Sequence, residues 1–355
     1  IRRQRQMCIR DSSSLVDGMA GSVNTPPNKD IRWEKTTTVN VGVDFALFRH
    51  RLSGTIEYYN KYSVDLLAAI NGSPTQGFGY TTLMTNNGKM VNRGVEITLS
   101  GEIIRQKDFS WNASLLYAFN RNKVKHISVQ PSLWDSRISM PTSYPMVGKP
   151  LYGIYAYKWA GLNENGDPQV YDAENNVTSG PARDYHALVY CGTTVPIHNA
   201  SLTNVLRYKG FEFSAMLILD AGHKLRSSNI PSINMSNGRI TSTAKGIVDR
   251  WTQPGDVTDV PRLLFSNDTE NFNTHRTELY RYSDLFVYDA SNIRLSNISL
   301  AYRVPAHWCK KISLSGARLQ FNVENVATFA FDSKANYDLG GKVKPNYVWG
   351  LYLNF

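Results

Sequence analysis

An all-β fold, a transmembrane antiparallel β-barrel, is what this 355-residue sequence predicts, and three observations predict it. Large apolar residues recur at every second position through nine separate segments, the period of a strand with one greasy face. Short turns alternate with long polar loops between those segments, the asymmetry of membrane-spanning barrels. The chain closes on a strand in which Tyr347, Trp349, Leu351, Leu353 and Phe355 share one face. Its length matches the roughly nine to eleven residues with which a tilted strand crosses a bilayer. An edge strand of a soluble sandwich is the competing reading of that stretch, and the remaining segments decide between the two.

Composition agrees with a barrel. Charged residues make up 19% and aromatics 12%, led by 20 Tyr, a profile rich in strand formers and interface residues. No run approaches the roughly 18 apolar residues of a spanning helix, whereas alternation hides the hydrophobicity of a barrel from such averages. The net charge of +10 does not point to nucleic acid. Arg2, Arg3, Arg5 and Arg10 supply part of it, and the other basic residues are scattered rather than gathered in a tract. Cys8, Cys191 and Cys309 lie far apart, with neither metal-ligand spacing nor a disulfide framework. Residues 1–12 are basic but lack the apolar run of a secretory signal. They are expected to be a foreign leader resembling translated adaptor sequence, and residues 13–35, rich in Ser, Gly, Pro and Asn, a loop.

The strands follow in order. Val39, Val41, Val43, Phe45 and Leu47 share a face, then turn at Arg49-His50-Arg51 into Leu52, Gly54, Ile56 and Tyr58. Val91, Val95, Ile97 and Leu99 turn at Gln106–Asp108 into Trp111, Ala113, Leu115, Tyr117 and Phe119. Leu202, Leu206 and Tyr208 turn at Lys209-Gly210 into Phe211, Phe213, Ala215, Leu217 and Leu219. Ile298, Leu300 and Tyr302 turn at Pro305–Cys309 into Ile312 and Leu314, then Leu319, Phe321 and Val323. In that last pair the apolar phase slips near Ser296-Asn297 and near Gly316, each slip reading as a β-bulge.

Four hairpins and the closing strand make nine, separated by loops at roughly 70–88, 124–198, 222–285 and 325–344. If Phe355 ends at the periplasmic rim, every short turn falls on the periplasmic side. Counting Tyr152–Trp159 as a tenth crossing would break that alternation, so this aromatic run is assigned to an extracellular loop. One helix is expected, with Ile240, Ala244, Ile247, Val248 and Trp251 on one face and Pro254-Gly255 stopping it.

Several stretches resemble one family. Asp289–Pro305 looks like the penultimate hairpin strand of SusC/RagA-type TonB-dependent outer-membrane transporters. Arg250-Trp-Thr-Gln-Pro-Gly-Asp256 with Asp259-Val-Pro-Arg262, Asn87–Glu96, Val147–Gly153 through Gly161-Leu162, Tyr208–Phe213 and the aromatic terminus also match. The resemblance implies that residues 36–355 are the C-terminal part of a 22-stranded barrel. It implies import of an oligosaccharide or peptide across the Gram-negative outer membrane, with a SusD-like surface lipoprotein and the TonB complex as partners and membrane lipid around the barrel. Residues 1–35 hold neither the plug nor the TonB-contacting segment of that family. The chain is therefore expected to be a fragment that forms no functional pore by itself, because open edges in lipid leave backbone groups unsatisfied. A surface receptor or adhesin without transport is the alternative.

No enzyme, cofactor or metal is implied. The seven histidines form no HxxxH or HExxH spacing, and Asn163-Glu-Asn-Gly-Asp167 lacks the order of a calcium loop and reads as a plain turn. In the loops, Trp134, Tyr144, Tyr152, Tyr155, Tyr157 and Trp159 are either rings that stack on sugar or packing and girdle residues. Trp251 is either a docking residue for the lipoprotein or loop packing, and the closing strand carries barrel assembly.

Overall fold

The computed structural model describes the chain except residues 1–8, 13–18, 23–27, 72–81, 129–135, 181–183, 236–242, 266–273, 312 and 340–343. Its frame is a nine-stranded antiparallel sheet: β1 (Lys35–Leu47), β2 (Leu52–Asn71), β3 (Thr82–Arg105), β4 (Phe109–His126), β5 (His198–Tyr208), β6 (Phe211–Ala221), β7 (Asn292–Arg303), β8 (Gly316–Ala330) and β9 (Asn346–Asn354). Each strand pairs with its predecessor in the chain, so the sheet is a meander with β1 and β9 at its edges. All nine expected strands are present, and Tyr152–Trp159 contributes none: Gly153–Tyr157 pairs instead with Leu188–Thr193 in a separate ribbon.

Register sorts the side chains onto two faces. One row across the sheet runs Val43, Ile56, Ile97, Tyr117, Ala200 and Leu219, and the next runs Phe45, Gly54, Leu99, Leu115, Leu202 and Leu217. Further along lie Phe213, Leu300, Phe321 and Trp349. No charged residue falls in this band, and much of it is bare: Ile56 is 45% exposed, Leu300 46% and Trp349 78%. Soluble monomers seldom expose so continuous an apolar surface.

The opposite face carries the polar chemistry. Thr55 donates to Asp44 (2.6 Å), Asn199 and Arg294 hold Asp220 (2.6 and 2.8 Å), and Arg207 and Arg318 hold Glu212 (2.7 and 3.1 Å). Apolar outside and hydrogen-bonded inside is the wall of a barrel with a wet lumen. Register puts residue 94 on the inner face, and it is glycine there because the Tyr59 ring crosses directly over its Cα, where a Cβ would collide.

The strands are longer than alternation alone suggests. β2 and β3 have 20 and 24 residues, about twice what a crossing needs, so residues 70, 71 and 82–88 of the expected loop at 70–88 are strand, and the rest of that stretch lies outside the described residues. The alternation is interrupted by register shifts between Ser63 and Leu67, while backbone pairing continues past them to Asn71 and Thr82. Asn86 helps hold the extension, taking the Arg32 N–H at 2.7 Å and donating to the Asp65 carbonyl at 2.6 Å.

One of the two expected bulges holds, and four further expectations are corrected. The slip at Ser296 is a bulge, since pairing skips from Leu295 to Asn297. That at Gly316 is not: β8 begins there, and Leu314 belongs to a longer connection, 304–315. Past the end of β7, Pro305 caps a one-turn helix, Ala306–Lys310, whose Cys309 is buried. Ile312 lies outside the described residues. Within the expected loop 13–35, Met19–Ser22 pairs with Ile9–Ser12; such pairing uses backbone groups, which composition does not reveal. The helix expected through Ala244–Trp251 is only a 3₁₀ turn, Lys245–Asp249. Ala244 is extended and Val248 is 73% exposed, so the spaced apolar residues face no common core. Ile240 lies outside the described residues.

Candidate functional site

The long connections fold together at one end of the sheet. One core gathers Tyr155, Tyr157, Val170, Ala187, Leu188 and Leu279; a second gathers Ile233, Tyr280 and Phe286, with Trp159 packed against both. Short ribbons frame them, Trp159–Leu162 with Pro168–Tyr171 and Lys224–Arg226 with Val287–Asp289, beside the helix α1 (Thr274–Arg281).

A charge knot ties these segments. The Asp167 carboxylate accepts from Arg262 Nε and Nη2 (3.1 and 2.8 Å) and from Arg276 Nε (3.0 Å). Arg276 also donates to the carbonyls of Ile233 (3.1 Å) and Arg262 (2.7 Å) and to the Asn234 side chain. Its side chain is only 4% exposed. Burial draws the Arg276 guanidinium down from its ordinary value, while the charge of Asp167 opposes that shift. The expected plain turn at Asn163–Asp167 is present: Asn163 Oδ1 accepts from the backbone N–H of Asn165 (3.0 Å) and Asp167 (2.9 Å).

The Arg250–Asp256 and Asp259–Arg262 stretches clasp the same body. Trp251 N–H reaches Val260 O at 2.8 Å, and Asp256 accepts from Thr252 N, Thr252 Oγ1 and Gln253 N. The Trp251 ring lies over Gly166, whose φ of +72° and lack of a Cβ make the approach possible. The Trp251 ring thus rests on the loop body, in keeping with the loop-packing alternative, and is half-buried.

The aromatic residues do not form one sugar platform. Tyr155 and Tyr157 are 1% and 0% exposed, so neither ring has a free face, a correction for Tyr155. Trp159 donates from Nε1 to Asp259 (3.0 Å) and from its backbone to Asp284 (2.9 Å), with its ring 5.8 Å from Tyr280. Tyr144 is half-buried, and its carbonyl accepts from Arg137. Tyr152 keeps an open face at 46% exposure. Trp134 lies outside the described residues. Tyr347, Trp349, Leu351 and Leu353 of the closing strand stand on the bare outward face, and Phe355 follows the strand as an exposed terminal residue.

No group of metal-ligating side chains occurs among the described residues. The Cys191 thiol is pushed up to about 11, by burial first and by the Asp284 carboxylate second, which leaves it unreactive. At the rim, burial pushes Asp289 up, but hydrogen bonds from Ser291 and the Lys224 ammonium outweigh it and hold the carboxyl at about 2. A depressed carboxylate stabilises the folded loop above its unfolded value of about 3.9, and that contribution disappears as pH falls through about 2. Asp289→Asn is accordingly expected to lower the loop melting temperature at pH 7, by a difference that shrinks steadily as pH falls from about 4 towards 2, as read by melting both proteins across that range.

A sheet with an apolar outer band, a polar inner face and loops massed at one end defines a membrane-spanning barrel wall. The model of the TonB dependent receptor-like β-barrel family matches residues 9–326, and the chain belongs to that family of outer-membrane transporters and receptors. The match begins inside the stretch read as a foreign leader. TonB-dependent receptor P3 of Formosa agariphila is 25% identical over 346 residues, covering 91% of this chain and 33% of that protein. TonB-dependent receptor SusC of Bacteroides thetaiotaomicron is 25% identical over 312 residues, covering 84% and 29%. The chain thus spans about a third of the length of these curated relatives. The structure of the RagAB peptide transporter superposes with a TM-score of 0.75 at 22% identity, covering 99% of this chain and 38% of that one. The resemblance to the SusC/RagA type read from sequence holds.

Sequence reasoning missed the Asp167–Arg262–Arg276 knot. Its members lie 95 and 109 residues apart, with no local spacing to reveal them.

Proposed function

We propose that this chain is wall and external loops of an importer that takes up an oligosaccharide or peptide across the outer membrane. Energy would come from the TonB complex, and a SusD-like lipoprotein would sit over the loop end. The observation that carries the reading is the division of one continuous sheet into an uncharged outer band and a hydrogen-bonded inner wall, capped by an ordered loop body. Such a wall separates lipid from a route for polar solute. The relatives include SusC and a peptide transporter, which leaves both substrate classes in play.

Tyr152 is the loop ring placed to stack on a sugar, and Val248 and Val257 flank Trp251 as bare apolar contacts for a partner. Deleting the gene and measuring uptake of labelled oligosaccharides and peptides tests the reading. Loss of one uptake activity, reproduced by inactivating TonB, supports it. Substrate binding that persists at the cell surface with uptake unchanged by the deletion replaces it with a receptor. Tyr152→Ala should weaken uptake of a sugar substrate severalfold, by the loss of one stacking contact; unchanged uptake of that sugar dismisses the stacking role.

A further inference from the structure

At the loop-side end of β4 the inner wall opens into a cleft of about 150 Å³, whose lining includes Asn120, Asn122, Lys149, Pro150, Tyr190 and Thr193. Register sets its floor on the inner face, since Asn120 pairs with Gly94 and Asn122 with Asn92. Residues 148–150 and 190–197 supply the walls. Both are tied down: Leu151 N donates to Asn122 Oδ1 (2.8 Å), Val124 N to Lys149 O (2.9 Å), and Asn120 N to Ile197 O (2.9 Å). A space of about 150 Å³ is enough for one six-membered ring.

The polar groups around this space are several donors and one acceptor. Asn122 has its oxygen taken by Leu151, which leaves its Nδ2 hydrogens to donate. Thr193 Oγ1 accepts from Val195 N at 3.3 Å, which leaves its O–H. The Lys149 ammonium stands 4.8 Å from the Tyr190 ring and pairs with no carboxylate among the described residues. Asn120 supplies the acceptor: its Oδ1 is buried and has no hydrogen-bond partner among the described residues. A turn about the soft last bond of an asparagine side chain presents that oxygen to the cleft. Buried acceptors without a donor are rare and costly, so one beside three ready donors points to a ligand. Such a ligand is ring-sized and both donates and accepts at neighbouring atoms. Sugar hydroxyls do both around the whole ring, whereas the ring of a peptide side chain carries polar groups at one or two atoms at most.

We propose that Asn120, Asn122, Lys149 and Thr193 bind one sugar ring of an oligosaccharide at the loop-side mouth of the inner wall. Tyr152 extends this subsite. It follows Pro150 by two residues, and its carbonyl accepts from Thr194 N at 2.9 Å, so it belongs to the same wall. Its open ring then stacks on the next sugar unit along the chain. The inference rests on the importer reading and narrows its substrate from oligosaccharide or peptide to oligosaccharide.

The test uses the full-length protein in detergent, with glucose, galactose, mannose, xylose, trialanine and triserine as probes, read by saturation-transfer difference NMR. At least one sugar should receive saturation, and the tripeptides none. N120L and K149M should each weaken binding of that sugar about fivefold, the loss of one hydrogen bond. K209Q, at the opposite rim, should leave it intact. N120L keeps the shape of the side chain and breaks no bond of the Asn120 oxygen, so it should melt no lower than the unsubstituted protein. Saturation of no probe, saturation of a tripeptide, sugar binding unmoved by both substitutions, or a lower melting temperature for N120L overturns the subsite. Sugar bound as expected by a protein whose gene deletion leaves uptake unchanged keeps the subsite and overturns the importer reading beneath it, a distinct result.

Discussion

Arg276→Met should loosen the loop body while leaving the nine-stranded sheet folded. Arg276 is nearly sealed from water and shares Asp167 with Arg262, while its remaining donors hold the carbonyls of Ile233 and Arg262. Methionine fills similar volume, so the loss is chiefly that of the hydrogen bonds and the partner charge. Removing one member of a buried charged pair costs about 3–5 kcal/mol, because the other is left uncompensated. Arg262 still pairs with Asp167, whose side chain is 22% exposed, so the lower end of that range, about 3 kcal/mol, is expected here. Hydrogen exchange reads the result directly. Amides of Gly153–Tyr157 and α1 should exchange faster, while those of β5 and β6 should not change. Uniform acceleration through the sheet would show that loops and wall unfold as one unit.

The second large effect separates the two faces of a single strand. Leu202 stands on the outer band between Leu115 and Leu217, whereas Ser201 faces the inner wall between Leu116 and Ile218. An arginine on the lipid face near the bilayer midplane costs about 2–4 kcal/mol. Leu202→Arg should therefore lower the unfolding free energy in vesicles by that amount, and Ser201→Arg by less than about 1 kcal/mol, since its side chain can reach lumen water. Denaturant titration in phospholipid vesicles measures both. Equal penalties would mean that the faces are not distinguished by their solvent.

Much of this frame was legible because the outer face repeats a simple rule. Alternation found nine strands, and the parity of short turns kept Tyr152–Trp159 out of the sheet. What escaped was whatever does not alternate or is not local. In the upper parts of β2 and β3 the pairing shifts register between Ser63 and Leu67 and between Lys89 and Met90, which breaks the two-residue period there. The connection through Pro305 and Cys309 hid a helical turn inside an apparent hairpin. In the loop body, Asp167 meets Arg276 only once the chain is folded, and the buried state of Tyr155 depends on a ribbon made with Leu188–Thr193. The spacing of Ile240–Trp251 suggested a helix, but spacing is enforced only where a core faces it, and Val248 faces none. The Arg250–Asp256 and Asp259–Arg262 stretches marked the family correctly, and their side chains prove to hold the loops together.

Every conclusion about lipid, lumen and transport depends on what touches the outer band. Nitroxide labels placed singly at residues 200 to 206 of β5, in the full-length protein in phospholipid bilayers, report this position by position. The expected result is high oxygen accessibility at positions 200, 202, 204 and 206, greatest near the bilayer centre, with low values at 201, 203 and 205. Labels at the even positions shielded from both oxygen and a water-soluble nickel chelate would instead place that face against another protein layer and contradict the account.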